Sequence, residues 1–332
     1  MTALPLHGGP DALGVPLHDF STNSNACGPC PPVVLALASA AASRYPDPRY
    51  TALRAQLADF HGVPAQRVLI AGSASEFIFR ITALVARQGA RAVSIPPHAY
   101  GDYAQAARAN GLAVVPTGEP AALHWACEPS SPLGQAHGLA GWSTAPGLRV
   151  LDSAYAPLRL SGRATVTPEV LPTVWQLFTP NKALGLTGVR AAYAIAPMEA
   201  GADTLALDAL CPSWPVGAHG VALLQAWTRP DVQAWLNDSR ATLRGWKAQQ
   251  ISLCESLGWP CWPSDANFFC TQPAVPSGMT LAQALGELRP AGIKLRDTTS
   301  FHLPGLVRVG VLSPTAQLAL KAAWLRLLKD SI

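Results

Sequence analysis

From about residue 66 onward, short apolar runs alternate with stretches whose apolar positions recur every three or four residues. The runs RVLIA (67–71), RAVSI (91–95), LAVV (112–115), LHWA (123–126), RVLD (149–152) and VWQLF (174–178) have the length and side-chain types of buried strands. AAYAIA (191–196) adds one more. Between the first of these, EFIFRITALVARQG and GDYAQAARANG show helical periodicity, and each closes on a glycine suited to a helix C-terminus. This alternation predicts an α/β fold with a largely parallel sheet covered by helices on both faces.

The remainder has a different rhythm. Residues 235–258 predict one long helix, with Leu243, Trp246, Ile251 and Leu253 among its apolar positions. Short strands follow (NFFCTQ, GIKLR, LVRVGV), interleaved with helices near 280–289 and 315–329. The organisation expected is a large α/β domain over 36–234 and a small α+β domain built from 1–35 and 235–332, including an N-terminal arm.

Composition acts mainly by exclusion. Apolar residues make up 49% and charged ones 13% of the 332 residues, which argues against a disordered chain. A net charge of +4 without a basic run argues against nucleic acid as a partner. No stretch approaches the roughly 20 apolar residues of a membrane span, and MTALPLHGGPDALG lacks the build of a signal peptide. A cytoplasmic protein with no membrane partner is expected. The seven cysteines are odd in number and scattered, as free thiols would be. Cys27-Gly28-Pro29-Cys30 spells the tetrapeptide of thioredoxins. It follows a polar segment and precedes Pro31-Pro32, with a helix only from around Val33, so it reads as a loop and not as a redox or metal centre.

The chemistry concentrates in Phe178-Thr179-Pro180-Asn181-Lys182-Ala183-Leu184-Gly185-Leu186-Thr187-Gly188-Val189-Arg190, a connection between two predicted strands. A hydroxyl residue stands three before the lysine and an arginine eight after it, with two glycines between. Taken alone, this is also what an ordinary surface loop looks like. The spacing resembles S/T-x-x-K-x-x-G-x-x-G-x-R, the lysine motif of the fold-type-I pyridoxal 5′-phosphate (PLP) enzymes, the aminotransferase class I/II superfamily. The resemblance implies the PLP-dependent transferase fold, with a seven-stranded type of sheet in the large domain. It implies that Lys182 forms the Schiff base with the cofactor and that Thr179 and Arg190 hold its phosphate.

Further segments fall in the family's order. Leu151-Asp152-Ser153-Ala154-Tyr155 resembles D-x-A-Y, which implies Asp152 on the pyridine nitrogen and Tyr155 on the ring's 3′-oxygen, both catalytic partners of Lys182. Ala71-Gly72-Ser73-Ala74-Ser75-Glu76 resembles the phosphate turn, with Ser73 and Ala74 at a helix N-terminus. Pro97-His98-Ala99-Tyr100-Gly101-Asp102-Tyr103 resembles P-x-[FY]-x-x-Y with one residue inserted after the proline, and implies that Tyr100 stacks on the ring. Arg44-Tyr45-Pro46-Asp47-Pro48-Arg49-Tyr50 resembles a segment whose first tyrosine reaches the neighbouring subunit's cofactor phosphate, so Tyr45 implies a homodimer. Singly, these segments also suit a strand-end cap, an ordinary N-cap, a core aromatic and a proline-rich turn.

One position departs from the pattern. Where the family shows N-P-x-N-P-T-G, this chain reads Glu128-Pro129-Ser130-Ser131-Pro132-Leu133-Gly134, with Ser131 in place of the asparagine that contacts the 3′-oxygen. A serine is shorter, so a water bridges the contact or Tyr155 makes it alone. Arg308 in LVRVGV resembles the carboxylate-binding arginine, and Asn23 in DFSTNSN the substrate-facing asparagine. His7-Gly8-Gly9, Asp19-Phe20-Ser21, Trp214-Pro215-Val216 and residues 295–317 resemble the threonine-phosphate decarboxylases of cobalamin biosynthesis, close relatives of histidinol-phosphate aminotransferases. That branch implies decarboxylation of L-threonine O-3-phosphate to (R)-1-aminopropan-2-ol phosphate, with His7 near the substrate phosphate. Transamination of the histidinol-phosphate type is the alternative, because the same site residues serve both reactions.

Overall fold

The computed structural model describes residues 8–137 and 142–330. A two-residue strand, β1 (His18–Asp19), precedes α1 (Pro31–Ala38) and α2 (Thr51–His61). Then come β2 (Val68–Ala71), α3 (Ala74–Arg87), β3 (Ala92–Ile95), α4 (Gly101–Ala109) and β4 (Ala113–Pro116). The strands β5 (Leu123–Cys127), β6 (Leu148–Asp152), β7 (Trp175–Phe178) and β8 (Ala192–Ile195) follow. The helices α5 (Gly201–Leu210), α6 (Ala218–Trp227) and α7 (Pro230–Ser256) lead to β9 (Phe268–Thr271). The chain ends through α8 (Leu281–Leu288), β10 (Ile293–Lys294), β11 (Arg296–Asp297), β12 (Val307–Gly310) and α9 (Pro314–Asp330).

Seven strands form one sheet in the order β2-β8-β7-β6-β5-β3-β4. Only β8 runs against its neighbours, β2 and β7; the other four pairings are parallel. Successive residues of β2 point to opposite sides, and both sides are apolar. Leu69 and Ala71 pack with Phe77, Ile78, Ile81 and Val85 of α3, whereas Val68 and Ile70 share a cluster with Leu53 and Leu57 of α2 and Leu223 and Leu224 of α6. A sheet covered on both faces needs continuous apolar runs, which is why these strands read so clearly. Helix α3 starts where it does because the Ser73 hydroxyl accepts from the Glu76 amide at 3.0 Å, satisfying one first-turn donor.

A second, three-stranded antiparallel sheet has the order β11-β12-β9, and β1 pairs with β10 in parallel. The strand expected over GIKLR is therefore two short ones in different sheets, separated at Leu295. The long helix begins earlier than expected, at Pro230, because proline suits the first helical turn, where its missing N–H costs nothing.

The C-terminal ends of β2, β3, β5, β6 and β7 lie along one edge of the large sheet and deliver Gly72, the 96–100 loop, Glu128, Ser153 and Thr179. That edge is where open α/β sheets place their sites.

Candidate active site

Lys182 sits in the turn that leaves β7, and its Nζ lies 5.6 Å from the centre of the Tyr155 ring. The loop is held from behind by the Cys27–Cys30 segment. The Asn25 amide donates to the Lys182 carbonyl and the Cys30 amide to the Leu184 carbonyl, both at 2.9 Å, while Asn25 Nδ2 donates to the Ala183 carbonyl. A Cβ on Gly28 would stand 2.9 Å from Gly185 Cα. Both thiols of the tetrapeptide are free: Cys30 is buried and Cys27 Sγ faces the Ser239 carbonyl. The segment thus buttresses the lysine loop, in keeping with the loop reading.

Asp152 ends β6 and is buried. Its Oδ1 accepts from the Ala154 amide at 2.9 Å and its Oδ2 from the Tyr103 phenol at 2.7 Å. Burial raises its pKa, while these donors and the Lys182 charge oppose the rise. No side-chain cation bonds this carboxylate among the described residues, so a protonated pyridine nitrogen fits as its counterion. Tyr103 is itself stacked on Trp125 at 4.3 Å and 10°, and Tyr100 stands edge-on to it. Sequence reasoning gave Tyr103 no role. Its spacing three residues after Tyr100, on the same side of the α4 entry, was the available signal.

At the expected phosphate end, Ser73 caps α3 and the first-turn amides of Ala74 and Ser75 have no intrahelical acceptor. Ser75 Oγ lies 3.3 Å from the Tyr100 hydroxyl. The Thr179 hydroxyl is buried and donates to Asn181 Oδ1 at 2.8 Å, and Arg190 is exposed. Tyr45 is 78% exposed, with its ring stacked on Trp214 at 4.4 Å. His7 lies outside the described residues.

Beyond Tyr155, whose ring meets Phe268 edge-on, the site is cationic, with Arg308 over that same Phe268 ring. Arg308 is buried; its Nη2 donates to the Ser21 carbonyl at 2.9 Å and its Nη1 to Ser131 Oγ at 3.2 Å. Ser131 thus supports the arginine. Arg308 Nε has no partner among the described residues, and neither does Nδ2 or Oδ1 of Asn23, a side chain only 3% exposed. On the adjacent strand β11, Arg296 is in direct register with Arg308, and both guanidiniums lie over the Phe301 ring, at 5.0 and 5.8 Å. Burial and the neighbouring Arg308 charge push the Arg296 pKa down to about 10. Two buried like charges in register favour an anion between them. Arg296 went unnoticed in the sequence because cross-strand register leaves no local trace.

Residues 16–322 match the family model "Aminotransferase class I and II". The chain belongs to the class I and II aminotransferase family. Among its relatives, the histidinol-phosphate aminotransferase of Thermobifida fusca is 31% identical over 75% of this chain and 75% of its own. That of Jannaschia sp. is 28% identical over 89% and 87%. In solved structures, histidinol-phosphate aminotransferase from Sinorhizobium meliloti, in complex with PLP, superposes with a TM-score of 0.82 at 22% identity, covering 98% of this chain and 96% of that one. L-Threonine-O-3-phosphate decarboxylase from Porphyromonas gingivalis gives 0.72 at 19% identity, covering 90% and 95%; these two likenesses are of fold. The protein is a PLP-dependent enzyme of this family, and no helix among the described residues is long and apolar enough to cross a membrane.

Proposed function

We propose that the protein is an aminotransferase of the histidinol-phosphate type, acting on a small amine that carries a phosphate. The named relatives support transamination over the decarboxylation expected first from the sequence. The structural observation that carries the substrate class is Arg308, buried with a partnerless Nε and bonded to the Ser21 carbonyl of the segment that also carries the partnerless amide of Asn23.

PLP, when bound, supplies the electron sink for negative charge developing at the substrate Cα. Asp152 keeps a proton on the ring nitrogen, and Tyr103 holds that carboxylate in place. The first-turn amides of α3, with Ser73, Ala74, Thr179 and Arg190, would hold the cofactor phosphate, and Tyr100 and Tyr155 would hold its ring. Arg308 and Asn23 orient one anionic group of the substrate, and Arg296 a second. Ser131, fixed by Arg308, serves the arginine end. Lys182 Nζ would hold the cofactor between turnovers and would take up the proton from the substrate Cα. Tyr45 reaches the partner's cofactor phosphate in a homodimer.

One observation favours decarboxylation as a second reading. Gly9 donates its amide to Ser21 Oγ at 2.9 Å, and a Cβ on Gly8 would overlap the Ser21 carbonyl oxygen. That oxygen is the one Arg308 bonds, so the glycines after His7 lie against the arginine end, as the decarboxylase branch implies.

PLP-loaded protein incubated with histidinol phosphate and 2-oxoglutarate should form glutamate. If instead L-threonine O-3-phosphate releases CO2 and no glutamate forms, the second reading replaces the first. A visible absorbance band that persists in Lys182→Ala would sink both.

A further inference from the structure

The loop between β3 and α4 carries one residue more than the pattern it otherwise follows, and the structure shows where the extra length goes. His98 adopts a left-handed backbone, with φ at 56°, a conformation unfavourable for a residue with a Cβ. The departure projects its ring toward the small sheet. His98 Nδ1 lies 2.6 Å from the Phe301 carbonyl oxygen. A carbonyl only accepts, so Nδ1 carries the hydrogen, and both neutral and cationic imidazole make this bond.

What the bond joins matters more than its strength. On one side is the loop that ends in Tyr100, edge-on to the tyrosine that holds Asp152. On the other is the turn Thr299–Phe301, whose aromatic ring lies under both guanidiniums. That turn is fixed on its own side by Arg296 Nη2 donating to Ser300 Oγ at 2.8 Å and by the Phe301 amide donating to the Thr298 carbonyl. It bends back at His302, also left-handed, with φ at 60°.

We propose that His98 is a positioning residue: by clasping the Phe301 carbonyl it holds the two-arginine turn against the cofactor loop and so sets the affinity for the anionic end of the substrate. This rests on reading Arg308 and Arg296 as the anion-binding end of the pocket. The clasp touches neither Lys182 nor Asp152, so it acts on binding and leaves the reacting centre alone.

Two substitutions separate the clasp from the backbone strain. Glycine adopts the left-handed conformation freely but cannot clasp. Asparagine tolerates that conformation and retains a donor. With PLP-loaded protein, succinate serves as an anion that cannot react. For His98→Gly, the dissociation constant for succinate and the KM of the turned-over substrate should rise about three- to tenfold, the worth of one hydrogen bond. Its kcat and visible absorbance should stay at wild-type values, and His98→Asn should recover part of the loss. An unchanged succinate affinity in His98→Gly, or a fall in kcat alone, overturns the proposal. Failure of wild-type protein to bind succinate would remove the anion site itself, whereas loss of the Lys182-dependent band would bear on the catalytic reading and leave the succinate result standing.

Discussion

In the proposed cofactor site, Tyr103 supports Asp152 without facing the chemistry itself. Its phenol is one of two hydrogen-bond donors on the Asp152 carboxylate, and stacking on Trp125 leaves it no freedom to turn away. Tyr103→Phe keeps the stacking and removes the donor, so the Asp152 pKa rises further and its hold on a protonated ring nitrogen weakens. PLP should be retained about tenfold less tightly, as expected for a hydrogen bond to a charged group, measured as loss of visible absorbance on dialysis. A second residue-scale prediction concerns His61. Trp227 Nε1 donates to the Tyr193 oxygen at 3.1 Å, which leaves the phenol hydrogen for His61 Nε2 at 2.9 Å. The imidazole is therefore neutral in the fold, and burial pushes its pKa down from 6.5 to about 4. The unfolded chain binds the proton more readily, so stability falls as pH drops from 6.5 toward 4, by at most about 3 kcal/mol. Chemical denaturation across that range should show the slope in wild type and a flatter one in His61→Phe. Local spacing suffices to gather Lys182, Asp152 and Tyr155 into one candidate site. The departure at Ser131 could be read too, but its partner Arg308 lies 177 positions away, and no local pattern encodes that.

At the scale of elements, the Gly28–Gly185 contact decides how firmly the lysine loop is held. A turn from near the N-terminus supports that loop through three hydrogen bonds and the approach of two backbones. Gly28→Ala would force its Cβ onto Gly185 Cα, a backbone atom that cannot swing aside. Overpacking of this kind costs about 1–3 kcal/mol, so the thermal midpoint should fall, and the cofactor-dependent band should weaken more than folding alone explains. The same region shows what periodicity conveys and what it omits. Strands β2, β5 and β8 are readable because their runs are continuous and buried on both faces, whereas the edge strand β4 is largely exposed. Strands β1, β10 and β11 hold two residues each, too few to show any period, and GIKLR accordingly reads as a single strand.

For the whole molecule, the alternation of strands and helices specified an α/β sheet with two covered faces, but not its strand order, nor that β8 would run antiparallel. Order and direction are set by long-range pairing, which a linear pattern does not carry. Assembly is the remaining question at this scale. Tyr45 and Trp214 stack together in an exposed position, joined by Trp214 Nε1 donating to the Pro46 carbonyl. If Tyr45 serves a neighbour's site, the solution mass should be twice 34.8 kDa. Lys182→Ala and Tyr45→Ala proteins, each impaired alone, should then regain activity when unfolded and refolded together, because a hybrid dimer contains one intact site. Sedimentation and a mixing assay test this; a monomer at working concentration would refute it.

The arginine end of the pocket is stitched from the two extremes of the chain. Arg308 bonds the Ser21 carbonyl, the Gly310 amide bonds the Phe20 carbonyl at 2.7 Å, and Asn267 bonds the Ser24 carbonyl. Lys182, Asp152 and Tyr103 all lie between these extremes. During synthesis, Lys182, Asp152 and Tyr103 leave the ribosome while the stretch bearing Arg296 and Arg308 is still unmade. On the proposed reading of the site, the nascent protein would acquire the means to capture PLP before the means to select a substrate, and discrimination would be the last property to arrive.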